Sequence, residues 1–518
     1  MGVVLESFVA SIRICLILCC MSFFVQADTN KVCFVIDEII FVPTQADTAK
    51  PQKLPKEFSF AHKIAKSYLH QCLYLDTINT FLASLNNTAI KKGFITSKFG
   101  IAPQDLSGAK LIMQVEIGRI HNITYNSNNF FLSFAKDFSI KQNDVLNLTH
   151  LQSGISNLKK MRYVDTTMKI TPSNANHSDI IIDVHRKNLP FYGSYIFDNG
   201  HLQFDYQHTL LFAWENPLKL ADRLQFYLLG ALPLDTTPIK SNHSFYGAMS
   251  YALPIRRILF ELNAAYFYNS YQIPLANLRP VYSGNNTNMD LKLSYALLQT
   301  QDYSFSFGLN LGARFSDSFL ENIELLIQRR AIIHYSLFLR YIISLPYLQF
   351  GTDVSILQGF SLPNAVLSGY SYFVPVLNLH LYRPFQVLKY TTTYTSTIKT
   401  QIGSSNLYAN DAFIIGGRYT VRGFDRLSYT GQMGVLYRND LNLFIPFSKQ
   451  SQIVPSLALD MGYVKSLDSA TQAFLAGGGL GAQFIHKNFN LQAWWHFPIY
   501  ASTEIPTQNF FFSIGLNW

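Results

Sequence analysis

The sequence predicts a mainly β protein, in which two small α+β modules precede a transmembrane β-barrel that runs to the C-terminus. Three observations predict it. Charged residues are scarce and aromatics abundant, at 14% and 15% of 518 residues. No stretch beyond residue 27 offers the roughly eighteen uninterrupted apolar residues that a spanning helix needs. From residue 187 onward, alternation at a period of two dominates and turn residues recur.

The N-terminus reads as a secretory signal. Arg13 precedes Ile14 to Met21 and Phe23-Phe24-Val25, an apolar run of about a dozen residues that is too short to cross a bilayer. Val25-Gln26-Ala27 supplies the small-residue cleavage pattern. Residues 1–27 are therefore expected to be removed, with the mature chain beginning near Asp28. Glu6 offsets Arg13 and weakens the charged region. Cys19 and Cys20 raise a lipoprotein reading, which Leu18 fits poorly. With the signal gone, Cys33 and Cys72 are the two of the five cysteines that remain. An oxidising compartment permits one pairing between them, and two buried free thiols are the alternative. The formal charge of +9 survives removal because Glu6 and Arg13 cancel. The basic residues are scattered, whereas nucleic-acid binding wants a clustered patch. They read as lumen, loop and rim charges, and no nucleic-acid partner is expected.

Residues 32–186 are not barrel-like. Val32–Val42 alternates and is β-branched, as a strand does. Phe58–Leu69 and Leu75–Lys92 read as helices, the second with Leu75, Ile78, Leu82 and Leu85 at helical spacing and Gly93 as its stop. Phe94–Ile101 and Lys110–Ile117 follow as strands. A similar pass begins at Arg119: strand Ile120–Tyr125, helix Leu148–Lys160, strands Thr166–Thr171 and Asp179–Val184. The order suggests two tandem β-α-α-β-β modules, 32–118 and 119–186.

Residues 187–518 change character. Tyr303, Phe305, Phe307, Leu309 and Leu311 alternate with small or polar residues, the pattern of a wall between lipid and a wet interior. Phe510, Phe512, Ile514, Leu516 and Trp518 repeat it in the last strand, with Phe511 breaking the polar set. Gly477-Gly478-Gly479 with Gly481 lacks the Lys-Ser/Thr of a phosphate loop and reads as a lumen-facing strand without side chains. His177, His185 and His201 have no metal-ligand spacing, and neither H-E-x-x-H nor G-x-S-x-G occurs. No catalytic site, metal or cofactor is expected.

Gly416-Gly417-Arg418-Tyr419-Thr420-Val421-Arg422-Gly423-Phe424-Asp425 lies within this β-rich region. It resembles the VRGF signature of outer-membrane protein translocators, the family of two-partner secretion transporters and the barrel-assembly factor. The resemblance extends over nearly the whole mature chain. Cys33-Phe34-Val35-Ile36, Cys72-Leu73, Gly93-Phe94-Ile95-Thr96, Pro103-Gln104-Asp105-Leu106 and Gly118-Arg119-Ile120 resemble the first POTRA domain of two-partner transporters. Leu146-Asn147-Leu148 with Leu151, Gly154 and Leu158 resembles the second. Phe197-Asp198-Asn199-Gly200 and Asn216-Pro217-Leu218 resemble the first barrel hairpin. Leu459-Asp460-Met461-Gly462 resembles the inward-facing strand motif, with Ala458 where an aromatic is usual.

The resemblance implies a barrel of about sixteen strands over 187–518. It implies a loop near 403–428, carrying Val421, Arg422, Gly423, Phe424 and Asp425, folded into the lumen. Arg422 would pair there with Asp460 of the wall, beside Gly462. Such a pair in a hydrated lumen would be worth about 1–3 kcal/mol. The resemblance also implies a Cys33–Cys72 disulfide. It implies an outer-membrane protein with periplasmic POTRA domains that secretes an unfolded, β-rich exoprotein of the hemolysin or adhesin type. Outer-membrane lipid and the machinery that inserts barrels would be its other partners. An assembly factor for other barrels is the first alternative, although such factors usually carry more modules. A passive porin or a secreted β-rich adhesin would be of another class. Two-partner transporters also typically carry a plug helix before the first POTRA domain, and Asp28–Lys31 leaves no room for one.

Overall fold

The computed structural model describes residues 33–44, 54–127, 141–159, 161–174, 176–200, 206–232, 243–255, 257–273, 278–300, 302–362, 369–404, 407–408, 411–424, 428–467, 471–502 and 509–518. The expected signal peptide, the short segment before the first strand and Asp425 lie outside the described residues.

In the first module, β1 (Phe34–Val35) pairs with β3 (Cys72–Leu73), whereas β2 (Glu38–Pro43) joins β5 (Lys110–Glu116) in parallel, and β4 (Lys98–Gly100) joins the other side of β5. Helices α1 (Ser59–Ala65) and α2 (Leu75–Lys91) contribute Phe60, Phe81 and Leu85 to a core with Phe58, Phe94, Phe99, Met113 and Val115. The expected Val32–Val42 strand is broken at Ile36-Asp37, where Ile36 turns fully into that core. The expected Phe94–Ile101 strand shrinks to β4. Phe94 donates its N–H back to Ala89 to close α2, around Gly93 at φ +89°, and Ser97 donates to Phe94. Phe58–Leu69 is a short α-helix flanked by single 3-10 turns. Cys33 and Cys72 are joined, with their Cα atoms 5.4 Å apart.

The second module supplies β6 (Arg119–Ser127), α3 (Leu148–Lys159), β7 (Val164–Pro172) and β8 (His177–Arg186), its sheet ordered β6-β8-β7. Helix α3 buries Leu151, Ile155 and Leu158, three of the four residues placed on its apolar face. One helix of this module, not two, falls among the described residues.

The barrel runs through β9 (Phe191–Asp198), β10 (Tyr206–Glu215), β11 (Arg223–Leu232), β12 (His243–Ile255), β13 (Ile258–Gln272), β14 (Val281–Gln299) and β15 (Tyr303–Leu320). The two-residue β16 (Ile323–Glu324) follows, then β17 (Arg330–Leu345), β18 (Leu348–Ser361), β19 (Ser371–Val387) and β20 (Tyr390–Ile402). A loop carries the hairpin β21 (Phe413–Ile415) and β22 (Tyr429–Gly431). The wall resumes with β23 (Met433–Pro446), β24 (Ser451–Lys465), β25 (Gln472–His486), β26 (Phe489–Ala501) and β27 (Asn509–Asn517), which returns to β9 and closes a barrel of 16 strands. Closure leaves no free sheet edge, the condition for strands to cross lipid. Among the described residues no helix is long and apolar enough to do so. Phe307, Leu311 and Phe315 stand exposed on the outside of β15, and Phe510, Leu516 and Trp518 on the outside of β27.

Reduction of the Cys33–Cys72 link should weaken the first module. The chain-entropy cost of opening a loop of this length is about 2–4 kcal/mol. In the full-length protein, Cys33→Ser with Cys72→Ser should speed proteolysis within residues 54–118 by at least about tenfold, while the heat-modifiable migration of the barrel stays unchanged. Equal cleavage rates would refute it.

Candidate functional site

The loop between β20 and β23 turns inward, and its tip is a tight turn. Gly417 donates its N–H to the Phe424 carbonyl, and the Thr420 hydroxyl donates to the Gly416 carbonyl at 2.7 Å. Gly423 sits at φ +93°, a left-handed conformation that favours glycine, and a side chain there would strike the Phe497 backbone. Val421 and Phe424 are fully buried. They form one apolar cluster with Ile415, Leu436, Val464 and Leu475. Gly462 makes room for it, since a Cβ at 462 would press on Val421 and Ile415.

Between those apolar groups lies Arg422. Its Nε donates to Asp460 Oδ2 at 2.6 Å and its Nη2 to Asp460 Oδ1 at 2.7 Å, a two-pronged clamp that suits a planar guanidinium. The Arg422 backbone N–H donates to the same carboxylate at 3.1 Å. Nη1 donates to Asp440 Oδ1 at 2.6 Å, and Nη2 also reaches the Asn439 carbonyl. Arg438, directly across from Asp460 in the β23–β24 ladder, brings its Nε to 3.6 Å from Asp460. Two arginines and two aspartates thus form a cluster with no net charge. It is not the hydrated pair that lumen placement alone suggested: the Asp460 side chain is 0% exposed and that of Arg422 6%. The apolar cluster on one side and Trp494, 5.5 Å from the guanidinium, on the other keep water out. Losing one partner of a buried charge pair leaves the other uncompensated, at a cost of about 3–5 kcal/mol rather than 1–3.

Several contributors were not read from the sequence. Arg438 and Asp440 sit two apart on one face of β23, a spacing that could have flagged them. Arg418 reaches Asp198 on β9 at 3.1 Å and stacks 4.0 Å over Phe511 of β27, so the residue that broke the last strand's polar set is a platform for the loop. Asn199 seals the adjoining seam. Its side chain donates to the Phe510 carbonyl at 2.9 Å and accepts from the Phe512 N–H at 2.8 Å. Of the glycine run, Gly477 and Gly479 share the inward face with Gly481, but Gly478 pairs with Leu459 on the outer one. A Cβ on Gly477 would overlap the Arg422 carbonyl oxygen. Ala458, small where an aromatic was usual, packs against Trp494 and Phe511, which fill that space from β26 and β27.

At the other end of the wall, Glu215 accepts the N–H groups of Arg162 and Tyr163, at 2.7 and 3.2 Å, and Asn216 donates to the Tyr163 hydroxyl at 3.0 Å. Burial pushes that hydroxyl up to about 12, against the pull of the Asn216 bond, so it stays neutral. The second hairpin motif therefore holds the chain that leads into the barrel.

The family described as "Haemolysin secretion/activation protein ShlB/FhaC/HecB" matches residues 176–484, and "POTRA domain, ShlB-type" matches residues 52–118. The outer membrane transporter CdiB-2 of Burkholderia pseudomallei (strain 1026b) is 25% identical over 511 residues, covering 92% of this chain and 85% of that protein. The hemolysin transporter protein HpmB of Proteus mirabilis is 20% identical over 414 residues, covering 76% and 71%. Among solved structures, CdiB from Acinetobacter baumannii superposes with a TM-score of 0.81 at 24% identity, over 94% of this chain and 90% of that one. CdiB from Escherichia coli gives 0.81 at 18%, over 95% and 92%. At these identities the structural likeness speaks for the fold.

The geometry predicts that a methyl group can undo the docking without touching a charge. Gly477→Ala should expose the loop tip to external protease about as much as Asp460→Ala does, at least about tenfold over the parent. Arg422→Ala should be the harsher of the two charge variants because it also frees Asp440. Arg422→Ala with Asp460→Ala should be little worse than Arg422→Ala alone. A tip that stays protected in Gly477→Ala would refute the docked geometry, and strictly additive charge variants would refute the coupling.

Proposed function

This chain belongs to the haemolysin secretion/activation family ShlB/FhaC/HecB, and from that premise we propose that the docked loop is the gate of a protein-secreting pore. The chain is an outer-membrane transporter of the two-partner secretion type, its POTRA modules in the periplasm and its barrel in the membrane. Its partner is a secreted exoprotein. The observation that carries the gate reading is the uncharged cluster of Arg422, Asp460, Asp440 and Arg438. A loop tip held by a buried network can be docked or released, and a few kcal/mol separate the two. Release would clear the lumen for an extended chain.

Residues 32–118 would form the first POTRA domain, 119–186 the second and 187–518 the barrel. The exoprotein would be β-rich, of the hemolysin or adhesin type, and would fold only after emergence. No nucleotide is at hand in the periplasm, so folding outside supplies the drive. Lipid surrounds the barrel, and the cell's barrel-insertion machinery would place it there. The work is conformational, with no enzymatic step. A porin for small solutes would have no use for a pinned loop or for POTRA modules.

The first module would receive the exoprotein by strand addition, whose main-chain bonds accept many sequences. From the order of elements alone, Ile95 to Ile101 or the neighbouring helix would be the candidates for that edge, but Asn86 of α2 already bonds both the N–H and the carbonyl of Phe99 there, at 2.9 and 3.0 Å. We place the accepting edge on β2, at the other end of the β2-β5-β4 order. Glu38 and Thr44 direct their N–H groups toward β5, so by alternation that of Ile39 points away from it.

Ile39→Pro should therefore weaken exoprotein binding at least about tenfold without breaking a bond inside the sheet, as read by titrating the full-length transporter with the exoprotein's N-terminal segment. Asn86→Ala should leave affinity within about threefold. The reverse ranking would return the site to β4.

A further inference from the structure

The tip cluster is not the loop's sole attachment. Its descending limb, described at Gly403, Ser404, Leu407, Tyr408, Asp411 and Ala412, rests on a different part of the wall. Arg314 of β15 brings Nη1 to 2.6 Å from Asp411 Oδ1. The Asp411 side chain is 5% exposed. Asn288 of β14 accepts from Arg314 Nε at 3.0 Å and so aims the guanidinium inward. Gln401 donates to the Asp411 carbonyl at 2.8 Å. Just above, the Tyr408 ring lies 4.0 Å from that of Tyr370, with the Arg330 guanidinium 4.3 Å over its face. Leu407 is buried among Ile332, Tyr372 and Val374.

We propose that Arg314 and Asp411 are a second latch: a positioning pair that holds the limb of the loop to the wall independently of Arg422, so that release needs both to open. Three features carry this. The charge pair is nearly dry on its loop side, like that of Asp460. A dedicated wall residue, Asn288, orients the arginine. The two latches share no residue, and their wall residues stand on β14 and β15 for one and on β23 and β24 for the other, with β17, β18, β19 and β20 between them in the ring. Because each latch closes a different portion of the loop, breaking one leaves a half-docked loop and not an open pore. The inference rests on reading the loop as the gate.

The test uses the full-length transporter in outer-membrane vesicles with Leu407→Cys as reporter, the Cys33–Cys72 pair being oxidised, and a membrane-impermeant maleimide added outside. Arg314→Ala and Asp411→Ala should each speed labelling about tenfold, and the two together should be no worse than either, since they remove one interaction. Arg314→Asp with Asp411→Arg should return labelling to within about threefold of the parent. Adding Arg422→Ala to Arg314→Ala should multiply the two effects, as latches without shared partners do. If the reversed pair fails to insert, the Ala cycle decides alone: strictly additive Arg314→Ala and Asp411→Ala would overturn the latch. Unchanged labelling in both single variants would overturn it as well. Faster labelling with a pore conductance that stays at the parent's level even when Arg314→Ala and Arg422→Ala are combined would keep the latch and refute the gate.

Discussion

A carboxylate that no water reaches must be neutralised by something fixed, and Asp460 is such a carboxylate. It lies on a barrel strand, in a wall otherwise built to face water inside and lipid outside. Arg438 across the ladder is too far, at 3.6 Å, to satisfy it alone. The groups that do come from a loop that must first fold back into the lumen. The buried charge and the docked loop are therefore one fact seen from two sides, and much of the surrounding wall follows from it. Gly462 and Gly477 are bare because the loop lies against them. Trp494 leans over Ala458 because the pocket must be dry. Phe511 turns inward because Arg418 needs a face to stack on.

The attachment is specific rather than merely strong. Aspartates and arginines balance within the cluster, so the docked loop adds little net field to the lumen. Replacing such a network by packed apolar groups would often be as stable. It would lack the geometric demand of a guanidinium that must meet two carboxylates and a backbone carbonyl at once. The limb obeys a similar rule with other materials: one charge pair, one orienting amide and a stack of tyrosines. The first module shows the same economy at Asn86, whose amide closes a sheet edge that would otherwise pair with any passing strand. A sheet closed on one side has a valence of one.

Much of the architecture was legible because membranes enforce it. A strand between lipid and water has to alternate, so Tyr303 to Leu311 announced a wall from residue types alone. The number of strands was not in the alternation; it came with the family resemblance, as did the meeting of Arg422 with Asp460. What stayed hidden was tertiary. Asn86 gives no sign in a helix that it will cap Phe99, and Gly93 was visible as a stop while the four residues spent on closing that helix were not. The dryness of the Arg422 site was misjudged because lumen was equated with water. Trp494 and the cluster of Val421, Phe424 and Leu475 decide otherwise, and they come from the loop and from two different strands, β25 and β26. Asp440 and Arg438 were within reach of a period-two reading of β23. Arg314 and Asp411 were not, being 97 residues apart and brought together by the loop itself.

The docked loop also conceals an electrical asymmetry in the pore. Its tip carries Arg418 and Arg422, and its limb carries Asp411. Withdrawing them leaves Asp198 and the triad Asp440, Asp460 and Arg438 bare on one wall, a net negative surface. Arg314 on another wall loses its loop carboxylate but keeps Asp290 of β14 beside it, so that wall stays closer to neutral. An unoccupied channel would be polarised across its width, with a transverse field that a neutral tube of the same bore would lack. A polypeptide drawn through it would feel that field at every residue, basic side chains leaning to one wall and acidic ones to the other. The passage would thus impose an orientation on a chain that has as yet no structure of its own.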